Sequence, residues 1–582
     1  MQNKLKNWIM KSLQVEGGFD VLYPRDMKNG DYSTNIALIE AKKTNKISKE
    51  LAEEMVQKLK VEIFDDVEKI EVAGPGFINF FLKPEYFASH IPTMLTDSSY
   101  GKSEKLLGKK VICEYTDPNP FKEFHIGHLM SNTIGEAISR IIEAQGAEVK
   151  RACYQGDVGL HIAMSVWAIT DLKLDIEKAE SQDLGKAYVH GSTKYKEDQN
   201  VQKEIVEINK KIFSREDSLI NKIYDSGRKV SLDYFETIYK KLGTKFDFYF
   251  FESEVSQFGK EVVEKNLGSI FEKSDGAIIF HGEEHDSSLH TRVFINKEGL
   301  PTYEAKELGL SKIKYDTYPY DISIVITGNE INEYFRVLLK AMFLVFPHLS
   351  EKTKHLSHGM LRLPQGKMSS RTGTVITAMS LLGLTKEKIL EKMSDREMSE
   401  DKKQEVVEVV AVGALKYSIL KQTIGKDIIF DFEKSLSFEG DSGPYLQYAT
   451  VRANSILKKI PQGRSLGTKD RPWEPWEEGV PDGWQTTNLE RMFERFSSIV
   501  EKAGEECAPS YIATYLIQLA GEFNSFYASH KIIDPSTMAS PEASRVGPSD
   551  PTSPYKLAMT QSFSNVMTYG LNLLGIKVPD EM

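Results

Sequence analysis

The sequence predicts an α/β protein in three parts: a parallel sheet wrapped by helices, a small α+β portion before it and an all-helical portion after it. Three observations predict this. From KKVICEY to EVKRACYQG the chain reads strand, helix, strand, with IGHLMSNTIGEAISRIIEAQG at helical spacing between two β runs. A helix that carries the chain back between successive strands makes them parallel. Earlier, ISKELAEEMVQKL is helical in period and IEVAGPGFINFFL is a strand broken by a Gly-Pro-Gly turn. From about Ser394 onward nearly every periodic segment is helical.

Taken in order, residues 1–100 form the α+β portion, with Ser48 as the N-cap of its clearest helix. Residues 101–393 form the sheet portion, whose first helix ends at Gly146, a suitable C′ residue. Residues of about 170–295 are more charged and irregular and read as an insertion. Strand signals return at TRVFINKEG and DISIVITG, and INEYFRVLLKAMFLVF is a helix. Residues 394–582 form the helical portion. Two stretches rich in Pro, Gly and Ser, beginning at Pro461 and Asp534, read as mobile surface loops.

A chain of 582 residues, 27% charged and 40% apolar, is an ordinary globular composition. The three cysteines are odd in number and far apart, which disfavours a disulfide framework or zinc ribbon and fits a reducing cytoplasm. No signal peptide or membrane span is read, so no membrane partner is expected. A net charge of −10 argues only weakly against nucleic acid, because local patches decide such binding.

The chemistry concentrates in DPNPFKEFHIGHLMSN. His125 and His128 lie at the junction of the first strand and its helix, where sheets of this type bind ligands. The helix N-terminus favours phosphate, Gly127 lets backbone approach a nucleotide closely, and two imidazoles can donate to phosphate oxygens. A zinc pair is disfavoured, since no third His or Cys follows at metal spacing. The chain has no GxxxxGK[ST], so ATP would bind without a Walker loop. Further on, GMLRLPQGKMSSRTGTVIT puts Lys367, Met368, Ser369 and Ser370 in a loop flanked by glycines, suited to closing on a pyrophosphate leaving group.

His125-Ile126-Gly127-His128 followed by Lys367-Met368-Ser369-Ser370 resembles the two signatures of class I aminoacyl-tRNA synthetases, with Ser370 in place of the usual second lysine. The surroundings resemble the arginyl-tRNA synthetase family over nearly the whole length. Glu114-Tyr115-Thr116-Asp117-Pro118-Asn119, with Lys122, looks like that family's extended first motif. The resemblance implies a Rossmann-like parallel-sheet catalytic domain with an insertion, a small N-terminal α+β domain touching tRNA, and a C-terminal all-helical anticodon-binding domain.

It further implies that Glu114, Asn119, Tyr303 and Glu307 bind L-arginine, with Glu307 where the family has Asp. His125, Gly127, His128, Gly328, Glu330, Met360, Lys367 and Met368 would lie at ATP, and His125, His128, Lys122, Lys367 and Ser369 would serve catalysis. Asn35, Tyr445, Gln447, Tyr448 and Arg452 would meet tRNA(Arg). Carboxylates facing a guanidinium make charge-assisted bonds, which agrees with this assignment. Mg2+ would come with ATP, and a cytoplasmic monomer is expected. Ile331 and Tyr334 depart from the family's Gln and His, and no role is carried over to them. The implied reaction is ATP-dependent formation of arginyl-adenylate and transfer to the terminal adenosine 2′-hydroxyl. The alternatives are a synthetase for lysine and a non-catalytic tRNA-binding paralogue.

Overall fold

The computed structural model describes residues 1–62, 64–97, 99–362, 377–459, 479–532 and 552–582. Two compact units are distinguished: residues 101–448, 499–516 and 570–582 form one, and residues 1–100, 449–498 and 517–569 the other.

The first of these holds a five-stranded sheet. Its strands are β1 (Lys110–Glu114), β2 (Glu148–Gln155), β3 (Phe248–Phe251), β4 (Ile322–Gly328) and β5 (Thr353–His358), in the spatial order β5-β4-β1-β2-β3. Every pairing is parallel, with Glu114 opposite Ala152 on one side and Val325 on the other. The order reverses at β1, so β1 and β4 flank a crevice at their carboxyl ends. Helix α1 (Ile126–Ala144) connects β1 to β2, and its buried residues run almost unbroken from Ile126 to Ala144. That continuous burial is what a helix enclosed between sheet and neighbours requires. Gly146, at φ +90°, follows its end as expected.

The expectation of an irregular insertion is corrected. Residues 181–242 form three helices, and Phe248–Phe251 is an edge strand of the central sheet, paired with β2. A four-residue aromatic run after a 25-residue helix carries too little period to stand out. The antiparallel ribbon at 272–295 is a separate three-stranded sheet. Three helices then bear on the site: α2 (Glu252–Lys265), α3 (Tyr303–Thr317) and α4 (Asn332–Val345). Helices α2 and α3 cross at glycines. A Cβ on Gly259 would lie 2.2 Å from the Ala305 carbonyl oxygen, and one on Gly309 would lie 2.8 Å from Gly259 Cα.

The other unit contains a four-stranded antiparallel sheet. The Gly74-Pro75-Gly76 turn joins Val67–Ala73 to Phe77–Leu82 as a hairpin. Ser48 is the first helical residue rather than the cap, because its hydroxyl donates to the Pro75 carbonyl at 2.6 Å. Residues 488–498, the first part of the helix Asn488–Glu505, belong to the same unit. There the half-buried Glu494 accepts hydrogen bonds from the hydroxyls of Tyr23, Tyr32 and Tyr86, and Arg491 pairs with Asp31 at 2.7 Å.

Candidate active site

The chain turns sharply at the carboxyl end of β1. Thr116, Asp117 and Phe121 have φ of +84°, +46° and +64°, conformations that side-chain-bearing residues adopt only when their surroundings enforce them. The enforcing bonds are present. Ser131 Oγ accepts from the Thr116 amide at 2.9 Å, Asp117 Oδ1 accepts from the Tyr154 amide at 2.7 Å, and Ser231 Oγ accepts from the Phe121 amide at 2.9 Å. The turn delivers Asn119, Lys122 and the start of α1 to the crevice.

His125 caps α1, and the cap is reciprocal. The His128 amide donates to His125 Nδ1 at 3.4 Å, and the His125 amide donates to His128 Nδ1 at 3.2 Å. The rings stack with centroids 3.5 Å apart. A Cβ on Gly127 would lie 2.9 Å from His125 Cε1, so the glycine makes room for the imidazole as well as for any nucleotide. Although His125 is exposed as a residue, partial withdrawal of its ring from water, then Lys122 and His358, lower its pKa to about 4. Burial, then His125 and Lys122, hold His128 well below its usual value. Both rings are therefore neutral near pH 7. With each Nδ1 accepting, the ring proton is assigned to Nε2, leaving two Nε2–H donors. Burial pulls Lys122 down to about 8, against an opposing pull from Glu252. Its ammonium lies 4.9 Å from the centroid of the Tyr188 ring.

Beside this pair the crevice is acidic. Glu114 is buried and pairs with Lys314 at 2.5 Å, and buried Glu252 pairs with Lys306 at 2.5 Å. Burial and the neighbouring Glu114 raise Glu307 and Asp117 well above the carboxylate range. Four carboxyl groups thus share the region with two paired ammoniums. Asn119 lies against Gly156, where a Cβ would sit 2.2 Å from its Oδ1. Tyr303 is 57% exposed at the start of α3, one turn before Glu307. The hydroxyls of Tyr154 and Tyr334 are buried without a hydrogen-bond partner among the described residues.

The expected nucleotide residues are distributed along the same edge. Gly328 ends β4 and adjoins Glu330, which is exposed, while Met360 is 47% exposed just past β5. Lys367, Met368, Ser369 and Ser370 lie outside the described residues, as do most of the two Pro-rich stretches. The residues bounding 363–376 are described: Arg362 pairs beside Ile429, and Thr377 forms a β-bridge with His125.

Of the residues expected to meet tRNA, Tyr445, Gln447, Tyr448 and Arg452 lie in the helix Gly443–Lys458. Asn35 accepts from the Asp20 amide at 2.9 Å, and the Arg452 guanidinium lies 4.3 Å from the Tyr527 ring centroid. Tyr445 and Tyr448 are half-buried. Gln447 requires correction: it is fully buried and its amide donates to the carbonyls of Val409 and Lys577, which removes it from solvent and from any base. Sequence reasoning also missed Tyr154, Glu252, Lys306 and Lys314. Only their burial beside the crevice distinguishes them.

A five-stranded parallel sheet with a capped His-Ile-Gly-His turn at its switch point defines the class I synthetase catalytic domain. Residues 90–432 match the profile described as tRNA synthetases class I (R), catalytic domain. Residues 2–82 match the arginyl tRNA synthetase N terminal domain, and residues 446–582 match the DALR anticodon binding domain. The chain belongs to the arginyl-tRNA synthetase family. It is 30% identical to an arginine–tRNA ligase of Limosilactobacillus reuteri over 571 residues, covering 96% of this chain and 95% of that one. It is 30% identical to one from Borreliella burgdorferi over 532 residues, covering 87% and 86%. In fold it is similar to Thermus thermophilus arginyl-tRNA synthetase, with a TM-score of 0.75 at 24% identity and full coverage of both chains.

Proposed function

We propose a division of labour among these residues in the reaction of the family. The chain is an arginine–tRNA ligase: it activates arginine with ATP and charges tRNA(Arg). The observation that carries the residue-level reading is the cluster of four crevice carboxyls, two of them without an ammonium partner among the described residues, beside a neutral, mutually capped histidine pair. Glu114, Asn119, Tyr303 and Glu307 receive the α-ammonium and guanidinium. The carboxylate of arginine attacks the α-phosphate of ATP, the bond to the β-phosphate breaks, and pyrophosphate leaves.

His125 and His128 donate from Nε2 to the oxygens where charge develops, and Lys122 supplies a cation. Lys367 and Ser369, between the anchored residues Arg362 and Thr377, follow the leaving pyrophosphate. Gly328, Glu330, Met360 and Met368 border the nucleotide. Mg2+ arrives with the triphosphate. The terminal 2′-hydroxyl of tRNA then attacks the adenylate carbonyl and AMP leaves. No side chain forms a covalent intermediate, so positioning and electrostatics carry the rate. Asn35, Tyr445, Tyr448 and Arg452 are proposed to meet tRNA, in a chain acting as a cytoplasmic monomer. The three sequence parts, 1–100, 101–393 and 394–582, are proposed as its functional modules.

The test is charging of bulk tRNA with labelled arginine and, in parallel, lysine, with ATP–pyrophosphate exchange measured with and without tRNA. Arginine-only charging, with exchange dependent on tRNA, is the expected result. Lysine charging would relocate the error to the Glu114, Tyr303 and Glu307 pocket. Tight tRNA binding without charging would overturn the catalytic assignment.

A further inference from the structure

Tyr334 stands where relatives of this family commonly carry histidine, and resemblance assigns it nothing. Its place in the fold is informative. It lies in the first turn of α4, immediately past β4, on one side of the switch-point crevice. Tyr154 lies near the end of β2, on the other side of β1. Both phenol oxygens are buried, and neither has a hydrogen-bond partner among the described residues. Burying a hydroxyl without a partner is costly, and folded proteins retain such a group chiefly where something else completes it.

The electrostatic surroundings narrow what that is. Glu307 and Glu252 are among the charges acting on both hydroxyls, and Tyr334 also acts on Tyr154. Four carboxyls, Glu114, Asp117, Glu252 and Glu307, lie here with the ammoniums of Lys122, Lys306 and Lys314, so the group that suits the two phenols is a further cation with several donors. A phenol oxygen accepts from such a donor while its own O–H donates to a carboxylate. A guanidinium, a planar fork of five N–H groups, can engage a carboxylate and two phenol oxygens together, whereas an ammonium offers three donors from one point.

We propose that Tyr334, with Tyr154 opposite, is a specificity-determining residue that reads the guanidinium of the substrate alongside Glu307. This deepens the arginine reading above and rests on it. The hydroxyls select for a planar cation.

The experiment compares the full chain with Tyr334→Phe and Tyr154→Phe, which remove one oxygen each and keep the ring. Pyrophosphate exchange in the presence of tRNA gives kcat and KM for arginine, homoarginine, citrulline and lysine, and KM for ATP. Tyr334→Phe is expected to lower kcat/KM for arginine about 10- to 100-fold, the scale of one hydrogen bond to a charged group. The loss should fall mainly in KM, KM for ATP should stay within about twofold of its starting value, and the preference for arginine over lysine should shrink. Equal losses for arginine and ATP would mean the phenol only props the fold, and would overturn the proposal. Unchanged arginine kinetics in both variants would also overturn it while leaving the arginine reading intact. Failure of the unsubstituted chain to use arginine would instead remove the reading on which the proposal rests.

Discussion

At the scale of residues, the histidine pair sets the pH behaviour. A His125 pKa of about 4 means that this ring, though the residue is exposed, gains no charge between pH 7 and 5, while burial holds His128 below its usual value. An acid limb in kcat within that span would contradict this. Lys122, near 8, titrates on the other side. Its charge is lost as pH rises through that value, so kcat/KM for ATP should fall there, and Lys122→Arg should move the fall upward. The sign for stability is opposite. The folded-state pKa lies below the unfolded one, so the unfolded chain binds more protons and stability rises with pH from about 8 toward the ordinary lysine value. His128→Ala should cost roughly 10²-fold or more in turnover, the scale of one transition-state donor, and should also lower the melting temperature, because it removes a buried ring and half of the reciprocal cap. The raised carboxyls make a further prediction. Burial and Glu114 make Glu307 and Asp117 hold their protons beyond the usual range, and an arriving guanidinium favours their ionised forms. Arginine binding should release protons, so affinity rises with pH. Calorimetry in buffers of different ionisation enthalpy reads the number directly, and zero release at every pH from the carboxylate range upward would refute the assignment.

At the scale of elements, the crossing of α2 and α3 positions Glu307. Gly259→Ala would push the helices apart at the Ala305 carbonyl, two residues from Glu307 on α3. Overpacking of this kind costs about 1–3 kcal/mol. Weaker arginine binding with little change in ATP binding is expected, as read by KM values and denaturant unfolding. The central sheet and α1 were legible because their apolar periods are long and their ends carry turn residues. Glu114, Asn119, His125 and His128 were legible because they lie within one short motif. The edge strand Phe248–Phe251 was not, being four residues long after a helix that shows no tie to the sheet. Tyr154 and Tyr334 were hidden for another reason: an unpartnered hydroxyl is a property of the folded crevice, and no local pattern encodes it. Gln447 illustrates the converse, since a polar residue between two tyrosines invited a surface reading while its amide was needed to satisfy buried carbonyls.

At the scale of the whole molecule, compactness and chain order do not coincide. Residues 1–100 belong to one compact unit with residues 449–498 and 517–569. Glu494 is the focus there: three tyrosyl hydroxyls from the first hundred residues donate to it. Glu494→Ala leaves those phenols without their acceptor. About 1–3 kcal/mol is expected for buried Tyr32 and less for half-buried Tyr23 and Tyr86, so urea unfolding of the full chain should show an earlier transition. Glu494→Gln, which keeps an acceptor, should recover part of the loss. During synthesis the same arrangement imposes a wait. The amino-terminal sheet leaves the ribosome roughly 400 residues before Glu494 does, about 20–80 s at ordinary elongation rates. Throughout that interval Tyr23, Tyr32 and Tyr86 lack their acceptor. A nascent chain stalled before residue 488 should therefore be more protease-sensitive in its first hundred residues than one stalled after 570, and more dependent on chaperones that hold unfinished chains.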